Sequence, residues 1–190
     1  MRATKQTRAG QRYLDLRREA RRRGRRTDEL IQQYALECSL DRLIRSDFVD
    51  RFVLKGGVLL AALGARRPTR DIDFAARAID NDTDVVLGAM RKIAAMRLDD
   101  GVEFNATDAV AESIREDAVY SGVRVSLSGA LSRAVLSLHV DVNVGDPIWP
   151  QPQTVLLPRL LEGALSLRGY PLEMVLAAVT SIFRLKNPDN

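Results

Sequence analysis

The chain has 190 residues, 46% of them hydrophobic, and a net charge of +4, values that suit one folded domain with a sizeable buried core. It has no run of roughly 18 apolar residues and no apolar segment behind its basic N-terminus, so we expect no transmembrane span, no secretory signal and no membrane partner, but a cytoplasmic protein. The single cysteine, Cys38, excludes an internal disulfide and a cysteine-based zinc cluster.

Positive charge is concentrated at the N-terminus. Residues 1–26 contain 11 Lys and Arg against two acidic residues, while the rest of the chain has 18 basic and 23 acidic residues. We interpret residues 1–27 as a basic N-terminal arm that includes a helix over residues 13–22. Such an arm is a candidate contact for a polyphosphate such as RNA, or else a solvated tail that aids solubility. The candidate RNA-binding residues are Arg17, Arg18, Arg21, Arg22, Arg23, Arg25 and Arg26.

A second helix is predicted to follow, with Asp28 as its N-cap. Its apolar stripe has approximate helical spacing and consists of Leu30, Ile31, Tyr34, Leu40, Leu43 and Ile44. Cys38 lies in this helix and is expected to be a small buried hydrophobic residue. An apolar strand over residues 52–54 comes next.

A glycine turn and an acidic strand follow. Gly56 and Gly57 allow backbone N–H groups to approach a phosphate, and the short helix predicted over residues 58–63 adds positive potential at its N-terminus. The next strand carries Asp71 and Asp73 on the same side, because strand side chains alternate between faces. Two neighbouring carboxylates favour a divalent cation between them, so the sequence predicts a phosphate cradle beside a metal site.

The central part of the chain alternates between helix and strand. A third helix is predicted to be capped within residues 81–83. The strands predicted after it are residues 102–105, 122–127 and 134–144. Ser128 and Gly129 are expected to form the turn between the last two. These elements indicate an α+β fold, with helices packed on a small mixed β-sheet.

The strand over residues 134–144 alternates almost strictly. Its apolar face is Leu136, Leu138, Val140, Val142 and Val144, and its polar face is Ser137, His139, Asp141 and Asn143. If this strand lies beside the first acidic strand, Asp141 completes an acidic triad able to hold Mg²⁺ or Mn²⁺. His139, the only histidine, is expected to be a hydrogen-bonding neighbour of that site rather than a ligand.

Prolines change the character of the chain after the last predicted strand. We therefore place the core at residues 28–146 and assign residues 147–190 to a short C-terminal helical segment, with a proline-rich connection first and Pro171 opening the helix. Trp149, in the connection, is expected to cap the core.

Several of these motifs together resemble the AbiEii/MenT group of nucleotidyltransferase toxins. The most specific are Leu54-Lys55-Gly56-Gly57 and Arg67-Pro68-Thr69-Arg70-Asp71-Ile72-Asp73-Phe74. Supporting ones are the segment 120–125, the strand ending in Asp141 with Gly145-Asp146 after it, and the segment 170–177. The resemblance covers roughly residues 28–177.

The resemblance implies a nucleotidyltransferase-like fold and a toxin that transfers NMP from an NTP, a pyrimidine nucleotide being plausible, to the 3′ end of an RNA. It further implies tRNA as the acceptor, a block of translation, and a cognate antitoxin as partner. Asp71 and Asp73 would hold Mg²⁺ and the NTP phosphates, and Asp141 would help to activate the 3′-hydroxyl. The nucleotide-binding residues would be Lys55, Gly56, Gly57, Arg67 and Thr69.

Thr69 stands two residues before Asp71 and should face the same pocket. Its hydroxyl would hydrogen-bond a phosphate or orient Asp71. The resemblance adds that phosphorylation at this position silences some toxins of the group. A phosphate there would add about −1.5 to −2 charges beside the acidic residues and oppose NTP binding.

The resemblance weakens after Ala177. Members of the group continue the last helix with Glu-Lys and later carry a Lys/Arg-Asp pair, whereas here Ala178 and Val179 follow and Lys186 and Asp189 stand at other spacings. Two further hypotheses therefore stay open. One is a nucleotidyltransferase that acts on a small molecule or a protein, and the other is a catalytically impaired RNA-binding remnant.

Overall fold

The computed structural model describes residues 5–62, 71–115, 121–145 and 147–176. Its helices are α1 (Arg8–Arg23), α2 (Thr27–Ile44), α3 (Gly56–Ala62) and α4 (Thr83–Ala94). Its strands are β1 (Phe52–Lys55), β2 (Asp71–Ala76), β3 (Val102–Phe104), β4 (Val110–Arg115), β5 (Ser121–Leu131), β6 (Ala134–Val144), β7 (Gln153–Pro158) and β8 (Ala164–Gly169). No helix within these ranges is both long and apolar enough to cross a bilayer.

All eight strands belong to one mixed sheet. Its order is β3-β5-β6-β2-β1-β8-β7, with β4 paired to β5 as well. The pairs β2–β6 and β1–β8 are parallel, and the others are antiparallel. The mixed sheet with helices packed on it confirms the predicted α+β class.

The core lies between the helices and the apolar face of the sheet. Alternating residues of β5 and β6 are buried there, and β1 and β2 add Phe52 and Phe74, whose ring centroids are 5.5 Å apart. Cys38 is fully buried in α2, as predicted. The opposite, polar face of these strands carries the candidate site residues.

Helix α1, which lies in the segment predicted to be a basic arm, packs on the core. Tyr13, Leu16 and Ala20 are buried against the rest of the molecule. Their spacing of three and four residues forms a narrow apolar stripe between the arginines. Helix α2 also differs at its start, since Arg26 is the N-cap residue and Asp28 lies in the first turn, where it pairs with Arg26.

The described part of the C-terminal segment, residues 147–176, is not mainly helical. Between residues 147 and 176, strands β7 and β8 form an antiparallel hairpin, and β8 joins β1 to extend the sheet. Leu165 and Leu167 are buried while Ser166 between them is exposed, the alternation of a half-buried strand. The neighbouring prolines made this stretch look like a connection. Helix appears only at residues 172–176, and residues 177–190 lie outside the described ranges.

Strand β5 is longer than predicted. It continues through Ser128 and Gly129 to Leu131, and the turn into β6 lies at Ser132 and Arg133. Gly129 serves a close strand contact rather than a turn, since a Cβ atom there would lie 2.6 Å from the backbone oxygen of Glu103. Strand β6 has the bounds predicted for it, and Asp82 caps α4 by accepting hydrogen bonds from two backbone N–H groups.

Candidate active site

The acidic strand β2 and strand β6 lie side by side. They pair in parallel, with Asp73 opposite Asp141 and Asp71 opposite His139. Ile72 is buried while the two aspartates of β2 are half-buried, as strand alternation requires. The predicted juxtaposition of three carboxylates on one face is therefore confirmed, while their catalytic role stays a prediction.

The glycine turn packs directly on the carboxylate of Asp73. The Gly57 N–H donates to Asp73 Oδ2 over 3.4 Å, and Lys55 is the cross-strand partner of Asp73. Gly56 has a φ of +65°, and a Cβ atom on it would lie 1.9 Å from the same oxygen. No side chain fits there, so glycine is needed to seat this carboxylate as well as to leave room for a phosphate.

Arg124 is a site residue that sequence reasoning did not assign. It lies on β5 opposite Asp141, and its Nε and a terminal nitrogen donate to the two oxygens of that carboxylate, both over 2.7 Å. The hydrogen bonds and charge of Asp141 raise the pKa of the Arg124 guanidinium, which therefore stays charged. The available signal was an arginine between two buried valines of a strand.

A row of charged residues runs across five strands on the polar face. The pairings place them in the order Lys55, Asp73, Asp141, Arg124 and Glu112. Their signs are positive, negative, negative, positive and negative. Neighbouring opposite charges stabilise one another, and the adjacent aspartates form the point at which a cation is most favoured.

A second row lies beside the first and holds the only histidine of the chain. It contains Asp71, His139 and Ser126 in register. His139 Nδ1 and Ser126 Oγ are 3.0 Å apart and share a hydrogen bond. His139 therefore makes a hydrogen bond on the polar face, and its expected role as a neighbour of the acidic residues stays a prediction.

The donor set is chemically suited to a divalent cation, because Mg²⁺ and Mn²⁺ prefer carboxylate oxygens. Asp71 and Asp73 share one face of one strand. Asp141 has both oxygens on Arg124, and within the described ranges no three His, Cys, Asp or Glu side chains are grouped closely enough to hold a metal ion. The three aspartates therefore have the right side chains for a metal site and lie on neighbouring strands. In the structure, however, the carboxylate of Asp141 is hydrogen-bonded to Arg124.

Other predicted site residues stand apart from this face or outside the description. Arg67 and Thr69 lie outside the described ranges. Five of the seven candidate RNA-binding arginines pair with nearby acids: Arg18 with Asp15, Arg22 and Arg23 with Glu19, Arg25 with Glu29, and Arg26 with Asp28. Trp149 is 83% exposed, so the expectation that it caps the core is wrong.

Comparison with known proteins assigns the chain to a class. Residues 39–178 match the family model of the nucleotidyl transferase AbiEii toxins of type IV toxin–antitoxin systems, which places the chain among the nucleotidyltransferases. Because the match covers well over half of the chain, the chain belongs to the AbiEii toxin family. This confirms the resemblance found in the sequence.

Two solved structures from Helicobacter pylori are similar to the chain. JHP933 has 16% sequence identity and a TM-score of 0.49, with 80% of this chain and 55% of JHP933 covered. A proposed nucleotidyltransferase has 15% identity and a TM-score of 0.48, with 80% and 57% covered. The chain thus spans little more than half the length of either structure. No curated protein matches the sequence.

Proposed function

We propose that this AbiEii-family chain is a toxin that transfers NMP from an NTP to the 3′ end of an RNA, tRNA in particular, and so blocks translation. The observation that carries the proposal is the row in which Asp73 faces both the glycine turn and Asp141, with Asp71 on the same side. A pyrimidine nucleotide is the proposed donor. The cognate antitoxin would oppose the toxin in the cell.

Asp71 and Asp73, with Asp141 as a third ligand, would hold Mg²⁺ or Mn²⁺ and, with it, the phosphates of the NTP. Such an ion, when bound, supplies positive charge that stabilises the departing pyrophosphate. Lys55, beside Asp73 in the row, adds a fixed positive charge at the same place. The residues of the chain therefore position the phosphates and balance their charge, which is the main work in phosphoryl transfer.

Asp141 would act on the acceptor side. Its carboxylate, on the strand next to Asp73, is suited to accept a hydrogen bond from the 3′-hydroxyl and orient it toward the α-phosphate. Only one strand separation, about 5 Å, lies between the backbones of the two residues. Donor and acceptor would meet between β2 and β6.

Arg67 and Thr69 immediately precede β2 in the sequence and belong to the proposal as nucleotide-binding residues. Arg67 would contact the triphosphate, and the Thr69 hydroxyl would bond a phosphate or Asp71. Phosphorylation of Thr69 would place negative charge in the same region and inhibit transfer.

The candidate arginines of α1, with Arg25 and Arg26 just after it, are the proposed RNA contact. Arg21 is exposed and makes no ion pair with a described residue, so its charge is available to a phosphate. The five paired arginines would exchange a neighbouring carboxylate for an RNA phosphate at little cost, because surface ion pairs contribute little to stability.

The test is incubation of the protein with each labelled NTP, Mg²⁺ and total tRNA. We expect labelled RNA with the wild type and none with Asp71→Asn or Asp73→Asn. Asp80→Asn is the matched control, since Asp80 is an exposed aspartate that follows β2. Label on a protein or small molecule instead of RNA, or no label from any NTP, would contradict the proposal.

A further inference from the structure

The side chains of Arg124 and Asp141 differ in how far they are buried. The Asp141 side chain is 6% exposed, in the middle of a strand that pairs on both sides, whereas the Arg124 side chain is 36% exposed. Arg124 makes no other hydrogen bond to a described residue. The carboxylate is therefore the fixed partner, and the long arginine side chain is the one that can move.

The guanidinium and a metal ion compete for the same oxygens. Both oxygens of Asp141 accept hydrogen bonds from Arg124. A divalent cation held by Asp73 and Asp141 would need one of those oxygens and would repel the guanidinium next to it. A metal ion at this carboxylate would therefore weaken its pair with the guanidinium, because the two cations compete for the same negative charge.

An NTP bound at this site would offer the displaced guanidinium a new partner. The planar fork of arginine matches phosphate as well as it matches carboxylate. Arg124 stands two strands from Asp73 in the row, about 10 Å between backbones, a span that an extended arginine and a phosphate together cover. Glu112, on the other side of Arg124, is exposed and would be a weaker partner.

We propose that Arg124 is a nucleotide-binding residue that Asp141 holds until substrate arrives. Its guanidinium pairs with Asp141 in the free protein and turns to the triphosphate when the metal ion binds the carboxylate. The inference rests on the proposed function and names a further residue for it. No covalent bond is made or broken in this exchange, only hydrogen bonds.

Arg124→Gln tests the exchange, with Arg97→Gln as the control because Arg97 is an exposed arginine outside the site. Calorimetry would measure Mn²⁺ binding alone, and then binding of the four NTP analogues that have a methylene bridge between the α- and β-phosphates. We expect Arg124→Gln to bind Mn²⁺ about tenfold more tightly and the preferred analogue about tenfold more weakly than the wild type. The control should change neither affinity.

The two expected changes have opposite signs, tighter Mn²⁺ binding and weaker binding of the analogue. This distinguishes the exchange from a structural role of Arg124. Unchanged or weaker Mn²⁺ binding by Arg124→Gln, or unchanged binding of the analogue, would overturn the proposal. If the glutamine variant does not fold, Arg124→Lys tests the nucleotide contact alone, and unchanged binding of the analogue by this variant would overturn the proposal. It keeps the charge without the fork, so Mn²⁺ binding should stay nearer to the wild type while analogue binding falls. Failure of the proposed function looks different, because the wild type itself would then bind neither Mn²⁺ nor any analogue.

Discussion

Two of the bidentate arginine–aspartate pairs among the described residues lie in opposite circumstances. Arg42 and Asp100 are buried, with side chains 1% and 8% exposed, and Arg42 also donates to the backbone oxygens of Cys38, Met96 and Val102. Arg124 donates hydrogen bonds only to Asp141 among the described residues, and its side chain is partly exposed to solvent. The first pair fixes α2 to the segment that enters β3, while the second is free to exchange its partner. The same two residue types thus form a buried structural contact in one place and a partly solvated pair in the candidate site in the other.

The largest expected difference between the pairs is in stability. Arg42→Ala leaves a buried carboxylate and three carbonyl groups without their partner and should lower the free energy of unfolding by about 3–5 kcal/mol. Arg124→Ala also leaves a buried carboxylate, that of Asp141, but no carbonyl group, and its own guanidinium is partly solvated, so it should cost less, about 1–2 kcal/mol. Urea unfolding of both variants measures this, and equal losses would contradict the distinction.

The next expected effect concerns the seat of Asp73 in the row. A Cβ atom at Gly56 would overlap the Asp73 carboxylate, so Gly56→Ala should reduce nucleotide transfer about 100-fold. Gly24→Ala is the matched control, since Gly24 has a φ of +62° and nothing within 4 Å of the added atom. Both variants should lose about 1 kcal/mol of stability from backbone strain, but only the first should lose activity. Comparable activities in the two would show that the turn does not position Asp73.

Glu37 extends the comparison to a buried carboxyl group that has no bidentate arginine partner. Glu37 accepts a hydrogen bond from the Leu160 N–H at 3.1 Å, and burial raises the pKa of Glu37 from 4.5 to about 7. The folded state therefore binds this proton more tightly than the unfolded chain does. The contribution of Glu37 to stability is lost as the pH rises from about 4.5 to about 7.

Glu37→Gln removes this titration. Relative to the wild type, its free energy of unfolding should rise by about 1–3 kcal/mol between acidic pH and a pH above 7. Glu173→Gln, at an exposed glutamate, should follow the wild type at both pH values. Parallel stability profiles for Glu37→Gln and the wild type would mean that burial does not perturb this group.

The smallest expected effect lies on α1. Deleting the N-terminal residues would remove the buried Tyr13, Leu16 and Ala20, so a single charge is the cleaner change. Arg21→Gln should reduce the slope of log K for RNA against log salt by about 0.7–0.9 and change stability by less than about 0.5 kcal/mol. Binding measured at several salt concentrations gives the slope. The same slope as the wild type would show that Arg21 does not contact phosphate.

The sequence predicted the parts of the site that depend on local spacing. The glycine turn, the alternation of Asp71 and Asp73, and the polar face that carries Asp141 all follow from residues close together in the chain. Arg124 could not be assigned in the same way, because its pairing depends on which strand lies beside β6 and in what register.

Other elements had their signal masked by composition. Arginines dominate α1 and conceal its stripe of three buried residues, which is why the helix looked like a separate arm. Prolines around β7 made the hairpin with β8 resemble a connection, although Leu165 and Leu167 alternate as in a strand. In both cases tertiary packing decided between two local readings.

The central claim is that the charged row carries nucleotide transfer to an RNA 3′ end. It is tested most directly by supplying labelled NTP, Mg²⁺ and tRNA whose 3′ end is either intact or oxidised with periodate. We expect the wild type to label only the intact tRNA, and Asp73→Asn to label neither. Equal labelling of both tRNAs, or full labelling by Asp73→Asn, would contradict the account.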